Sequence, residues 1–299
     1  MDKHSTRRNV LKQLSLGSLA LGTTGFLSSF REKEKMEEEN YQLKGNVNHS
    51  VCWWTYNFMP LDELCKAVKK IGFHAIDLVG PKDWPVLLQN NIFSSMCNGA
   101  EINLVDGWNR KEFHSTLIKN YSDHIELVAK AGYKNLICFS GNRRGMDDET
   151  GLNNCAEGLK QIMSLAEKNG VTIQMELLNS KINHKDYMCD RSLWGIELVK
   201  RIGSANFKLL YDIYHMQIDE GDVIRTIKES HQYFGHYHTG GVPGRHIIDE
   251  SQELYYPAII KAIMETGFTD YLAQEFLPTS NEKEAKIKEL KKAVRICDV

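Results

Sequence analysis

The stretch FKLLYDIYHMQIDEGDVIRTIKESHQYFGHYHTGGVPGRH, residues 207–246, decides how the chain is read. It contains two short apolar runs, each closing on residues suited to binding metals or moving protons. FKLLYDIYH ends in Asp212 and His215, and YFGHYH ends in His236 and His238. A segment with helical spacing, Gly221 to Ser230, separates them. The order is strand, chemistry, helix, strand, chemistry.

Outward from this stretch the pattern repeats. Strands are expected over 47–56, 75–79, 92–97, 135–140, 171–178, 207–214, 233–238 and 271–276. Helices are expected over 60–71, 83–90, 112–131, 153–169, 192–202, 221–230, 256–266 and 280–296. In the first helix Leu61, Leu64, Ala67, Val68 and Ile71 share one face, and Gly72 stands where a C-cap glycine belongs. Parallel strands need crossovers of this length, and the crossovers are right-handed. Eight such units in roughly 250 residues predict an α/β fold of the (β/α)8 TIM-barrel type. The alternative is an open wound sheet. Its nucleotide-binding version is disfavoured, because the first βα turn has no G-x-G-x-x-G and the chain has no P-loop.

Composition narrows the function classes. The 299 residues are 42% hydrophobic and 25% charged, with a net charge of −2. This balance is that of a soluble globular protein and makes no electrostatic case for nucleic acid or a membrane surface. The seven cysteines (52, 65, 97, 138, 155, 189 and 297) form no CxxC pair and no zinc spacing, and read as small buried hydrophobes.

The N-terminus stands apart. Thr6-Arg7-Arg8-Asn9-Val10-Leu11-Lys12 resembles the twin-arginine export signal, and the uncharged segment Leu14 to Leu27 follows it. That segment is too short and too weakly apolar to span a membrane. Residues 1–30 are therefore expected to be a signal peptide, 31–45 a charged linker, and 46–299 the barrel domain. The resemblance implies export to the periplasm without a stable membrane anchor. An unused signal would leave the protein in the cytoplasm.

In a TIM barrel the site is built at the C-terminal ends of the strands. The last four strands end in Glu176, Asp212, His238 and Glu275. Over residues 172–177, Ile173, Met175 and Leu177 alternate with Thr172, Gln174 and Glu176. The apolar set should face the outer helices, which turns Glu176 into the barrel mouth. Three carboxylates and an imidazole converging there repel one another unless a cation holds them. The O,O,O,N donor set suits one divalent ion, Mn2+, Mg2+, Co2+ or Zn2+, and the lack of thiolate argues against a structural zinc site.

From about residue 46 to 296 the chain resembles the xylose isomerase-like barrel superfamily and, within it, the hydroxypyruvate isomerases. The resemblance is carried by ELLNSKINH (176–184), YDIYHMQIDEGD (211–222), HYHTGGVPGRH (236–246), ELYYPAIIKAIMETGF (253–268) and QEF (274–276). It implies a divalent metal held by Glu176, Asp212, His238 and Glu275, with Glu176 and Glu275 as the catalytic proton-transfer groups. His215 and Arg245 resemble the substrate-contacting residues of ketose epimerases. Asn179 and His184, just beyond strand five, and Trp54 of the Trp53-Trp54 pair are further candidate substrate contacts. His236 shares the parity of His238 and reads as a layer residue inside the barrel. Hydroxypyruvate isomerases commonly carry Gln where this chain has His238, whereas ketose 3-epimerases carry His.

The implied activity is metal-dependent isomerisation of a small α-hydroxycarbonyl compound through a cis-enediolate, as in hydroxypyruvate to tartronate semialdehyde. The alternatives are a keto-sugar 3-epimerase, a sugar lyase or dehydratase on the same barrel, and a non-catalytic sugar-binding barrel. An exported enzyme favours a sugar or sugar acid. An apurinic endonuclease shares the barrel but needs more metal ligands and a basic groove, against which the net charge speaks. The expected partner is a small molecule, and assembly as a homo-oligomer is left open.

Overall fold

The computed structural model describes residues 41–299; the expected export signal and the charge run over 31–40 lie outside the described residues. Leu43–Val299 form one compact unit. Its eight strands are β1 (Asn48–Val51), β2 (Ala75–Val79), β3 (Phe93–Cys97), β4 (Asn135–Cys138), β5 (Thr172–Glu176), β6 (Phe207–Asp212), β7 (Phe234–Thr239) and β8 (Tyr271–Gln274). All pair in parallel, in the order β1-β8-β7-β6-β5-β4-β3-β2. A parallel bridge between Cys52 and Asp77 joins the ends of that order, so the sheet closes on itself. The expected TIM barrel is the observed one.

Helices α1 (Leu61–Ile71), α2 (Trp84–Gln89), α3 (His114–Lys130), α4 (Asp148–Asn169) and α5 (Ser192–Ile202) cross between the first six strands. Then come α6 (Ile213–Asp219), α7 (Val223–Ser230), α8 (Tyr256–Glu265) and α9 (Lys283–Cys297). The parity argument holds at β5. A Cβ added to Gly195 of α5 would stand 2.8 Å from Leu209 and 3.3 Å from Leu177, so those leucines point outward onto the helix. Glu176, of opposite parity to Leu177, points in and is buried.

Several boundaries differ from expectation for local reasons. β1 stops at Val51, and Trp53–Tyr56 turn into a 3-10 helix rather than extending the strand. β6 stops at Asp212 instead of Tyr214, because the Asp212 side chain accepts the backbone N–H of His215 (3.0 Å) and starts α6, a helix the apolar alternation of DIYH conceals. α4 begins at Asp148, capped by Asp147 through Thr150 N (2.9 Å), five residues earlier than the apolar pattern alone indicates. The seven cysteines are all free and buried. Among the described residues no helix is long and apolar enough to cross a membrane.

Candidate active site

The strand register brings the ligand-type residues together. Asp212 and His238 are direct partners between β6 and β7, and His238 pairs with Ala273 of β8, which places Glu275 one inward position further up. Glu176, Asp212, His238 and Glu275 offer donor atoms all within 4.8 Å of one another, and all four residues are buried. Nδ1 of His238 lies 3.1 Å from Glu176 Oε1 and 2.9 Å from Glu275 Oε2. Oε1 of Glu176 is buried without a hydrogen-bond partner. An orphaned carboxylate oxygen, two further carboxylates and an imidazole nitrogen, all turned to one point, fit a divalent cation.

Arg245 completes the cluster from the β7–α8 loop. Gly241 and His246 exchange backbone hydrogen bonds at 2.8 and 3.1 Å, closing a tight loop in which Arg245 takes a left-handed φ of 58°. A non-glycine residue there costs on the order of 1 kcal/mol or more. The turn sends the side chain inward. Nη2 donates to Glu275 Oε2 (2.6 Å) and Asp212 Oδ2 (3.1 Å) and lies 3.1 Å from His215 Nε2. The guanidinium stands 5.3 Å from the Trp54 ring centre and 5.2 Å from that of Tyr214, within cation–π range.

Burial and charge set the ionisation of the group. Burial pushes the Asp212 carboxyl up to about 8, against the pull of Arg245. Burial also raises Glu176, and the nearby His238 and Arg245 charges offset it only in part. For Glu275 the burial penalty is outweighed by Arg245 and His238, and its carboxyl is held well below the usual range. Burial alone would lower His238, but Glu275, Cys52 and Asp77 raise it well above the ordinary imidazole value. His215 is held well below that value by burial and by Arg245, so it is neutral. The backbone N–H of Asn179 donates to its Nδ1 (3.1 Å), which puts the proton of neutral His215 on Nε2, the nitrogen facing the cluster.

The remaining expected contacts are placed at different depths. Trp54 is 39% exposed at the mouth and donates Nε1–H to Glu275 Oε1 at 2.7 Å. Its position in the 3-10 turn, not on β1, allows this reach. Asn179 lies buried behind His215; its Oδ1 accepts Ile182 N (3.1 Å) and Asn183 N (2.9 Å) and shapes the β5–α5 loop. His184 is partly exposed, its ring 5.1 Å from that of His215. His236 sits one layer below His238, as its parity predicts, with Nε2 2.7 Å from Asp77 Oδ2. Asp77 was not anticipated. The signal available was one aspartate inside the apolar strand AIDLV (75–79), where an unpaired charge is costly. Burial of Asp77 is outweighed by His236 and His238, which lower its carboxyl to about 2.

A family model described as "Xylose isomerase-like TIM barrel" matches residues 65–297. The chain belongs to the xylose isomerase-like TIM barrel family. Among relatives of this barrel, a 2-oxo-tetronate isomerase of Cupriavidus necator is 34% identical over 122 residues, covering 41% of this chain and 46% of that protein. A D-psicose 3-epimerase of Ruminiclostridium cellulolyticum is 26% identical over 202 residues, covering 60% and 67%. The match thus spans about half the length of the first relative and two thirds of the second. Solved structures share the family fold. One described as an AP endonuclease, family 2, from Brucella melitensis superposes with a TM-score of 0.71 at 23% identity, covering 80% of this chain and 96% of that one. The IOLI protein, described with a binding zinc atom, superposes with a TM-score of 0.66 at 17% identity, covering 84% and 98%.

Proposed function

We propose that this barrel is a metal-dependent isomerase of a small α-hydroxycarbonyl compound, with hydroxypyruvate to tartronate semialdehyde as its reaction type. One observation carries the reading. Two buried glutamates, on strands three places apart in the sheet, reach the same imidazole nitrogen at 3.1 and 2.9 Å. Such a pair serves proton transfer at carbon: one carboxylate takes a proton from carbon, and the same group or the other returns it to the neighbouring carbon. Relatives named for 2-oxo-tetronate isomerase and D-psicose 3-epimerase activities support the class.

Glu176, Asp212, His238 and Glu275 would hold the cation, Mn2+, Mg2+, Co2+ or Zn2+. Such an ion supplies Lewis-acid polarisation of the substrate carbonyl, which acidifies the adjacent C–H. The chain's own residues do the rest. Glu176 and Glu275 approach from different strands and hold the proton in transit. His215 presents Nε2–H toward the cluster and donates to the oxygen on which negative charge develops. Arg245 offers a planar fork to a substrate carboxylate, and its burial strengthens that pairing. Trp54 and Tyr214 flank the guanidinium within cation–π range and hold it in place.

A second reading is a keto-sugar 3-epimerase, favoured by the 202-residue match to the D-psicose 3-epimerase. It differs only in returning the proton to the same carbon from the opposite face. The deciding experiment incubates the protein with Mn2+ in heavy water with hydroxypyruvate and a panel of keto-sugars. Deuterium is expected at the carbon beside the carbonyl. Tartronate semialdehyde supports the first reading, an inverted sugar the second, and a product lacking water indicates a lyase. No deuterium in any compound would overturn the proposal. Export through residues 1–30 is proposed with it; recovery in the periplasmic fraction that depends on Arg7 and Arg8 tests this.

A further inference from the structure

Asp77 backs the candidate metal centre from the opposite side of the barrel. It lies fully buried on β2 at the closing seam, bridged to Cys52 of the first strand's extension. A carboxylate taken out of water at such a place costs several kcal/mol unless it is paired. Both of its partners come from β7, across the barrel interior. Oδ2 is 2.7 Å from His236 Nε2 and 3.4 Å from His238 Nε2.

His238 therefore has two different faces. Nδ1 is turned to Glu176 and Glu275, and Nε2 to Asp77. A neutral imidazole carries one N–H. With the proton on Nε2, Nδ1 presents a lone pair to the cluster. With the proton on Nδ1, the ring only donates to the carboxylates and cannot ligate. We propose that Asp77 is a positioning residue that holds the His238 proton on Nε2 and so makes Nδ1 the nitrogen ligand of the divalent-cation site. The inference rests on the metal-site reading above. His236 serves the same end: by donating to the same oxygen at 2.7 Å it holds the Asp77 carboxylate against His238. The other neighbour of His238 Nε2 is Cys52 Sγ at 3.9 Å, a weak acceptor that competes poorly with a carboxylate oxygen.

The general pattern supports a sizeable effect, since carboxylates behind metal-ligating histidines are worth about 10- to 100-fold in metal affinity. The test compares Zn2+ affinity by calorimetry in the unsubstituted protein, Asp77→Leu, Asp77→Asn and Cys52→Ala. Asp77→Leu, which fills the same space without an acceptor, should weaken binding about 10- to 100-fold. Asp77→Asn keeps an acceptor oxygen and should recover most of the affinity. Cys52→Ala should match the unsubstituted protein. Nitrogen-15 NMR of the histidine rings in the unsubstituted, Zn2+-loaded protein needs no variant to fold. It should show His238 protonated at Nε2 and ligated through Nδ1. Ligation through Nε2, equal affinity of folded Asp77→Leu, or a loss in Cys52→Ala as large as in Asp77→Leu would each overturn the role of Asp77 alone. Absence of Zn2+ binding by the unsubstituted protein would overturn the metal reading itself.

Discussion

Nη2 of Arg245 lies 2.6 Å from Oε2 of Glu275, so a fixed positive charge already sits among the carboxylates expected to hold a cation. Glu275 and Asp212 are buried, and Arg245 is the guanidinium that offsets both. Removing one partner of a buried pair leaves an uncompensated charge and costs about 3 kcal/mol or more. Arg245→Met should therefore lower Tm by several degrees when measured in chelator. Because the guanidinium draws on the same oxygens as a metal, added Mn2+ should raise Tm more in Arg245→Met than in the unsubstituted protein. Equal rises in the two proteins would show that Arg245 does not share the ligand oxygens.

Glu176 and Glu275 are both ligands and proton carriers in this reading, and the two roles separate by substitution. Glutamine keeps a ligating oxygen but cannot take a proton. Glu176→Gln and Glu275→Gln should each cut solvent-deuterium exchange about 10²- to 10⁴-fold while still binding metal by calorimetry. Asp212→Ala should instead lose the metal. Exchange at the unsubstituted rate in both glutamine variants would remove the glutamates from the chemistry.

The four ligand-type residues were legible because each ends an apolar run of its own strand, and the period of two assigns their face. The barrel was legible because eight such runs alternate with helical ones. Asp77 was not legible, because its meaning depends on His236, 159 residues later in the chain, and only barrel closure brings them together. Helix α6 was hidden by DIYH, whose alternation continues the strand; a side-chain cap at Asp212 decides otherwise. The inward reach of Arg245 depends on a left-handed turn within GGVPGRH, which residue types alone do not fix.

Gly107 tests how tightly the β3–α3 loop seats on the end of β4. Trp108 N donates to Phe139 O (3.2 Å) and Asn109 N to Ser140 O (2.8 Å). A Cβ on Gly107 would stand 2.5 Å from Gly141 N, Phe139 O and the Ser140 carbonyl carbon. These are backbone atoms with no rotamer to change, so the loop must lift. Gly107→Ala should destabilise by about 3 kcal/mol, the upper range for overpacking. Gly221, at φ +69° with open space around its would-be Cβ, is the control. Gly221→Ala meets only backbone strain, about 1 kcal/mol. Denaturant midpoints that rank Gly221→Ala below Gly107→Ala in stability would contradict the close approach.

Asp148 ties the loop after β4 to the loop after β5. Its carboxylate pairs with Arg143 and, at 2.6 Å, with Arg191, while Arg143 also reaches Asp190 at 3.3 Å. Partial burial works against the charged form, but the two arginines outweigh it and hold the Asp148 carboxyl below its ordinary value. The sign follows from proton counting. An unfolded aspartate takes up its proton near pH ~4, whereas the folded one keeps its charge to lower pH. The pairing thus stabilises the fold fully above pH ~4, and the contribution disappears as pH falls through the depressed folded value. Asp148 is nearly half exposed, so water screens the pairing and the whole effect stays within about 1 kcal/mol. Asp148→Asn should lower Tm by about 1–3 °C at pH 7. At pH values below the folded carboxyl's titration, the melting curves of the two proteins should converge. A gap that widened on acidification would mean that the carboxyl is raised on folding and that the two arginines do not govern it.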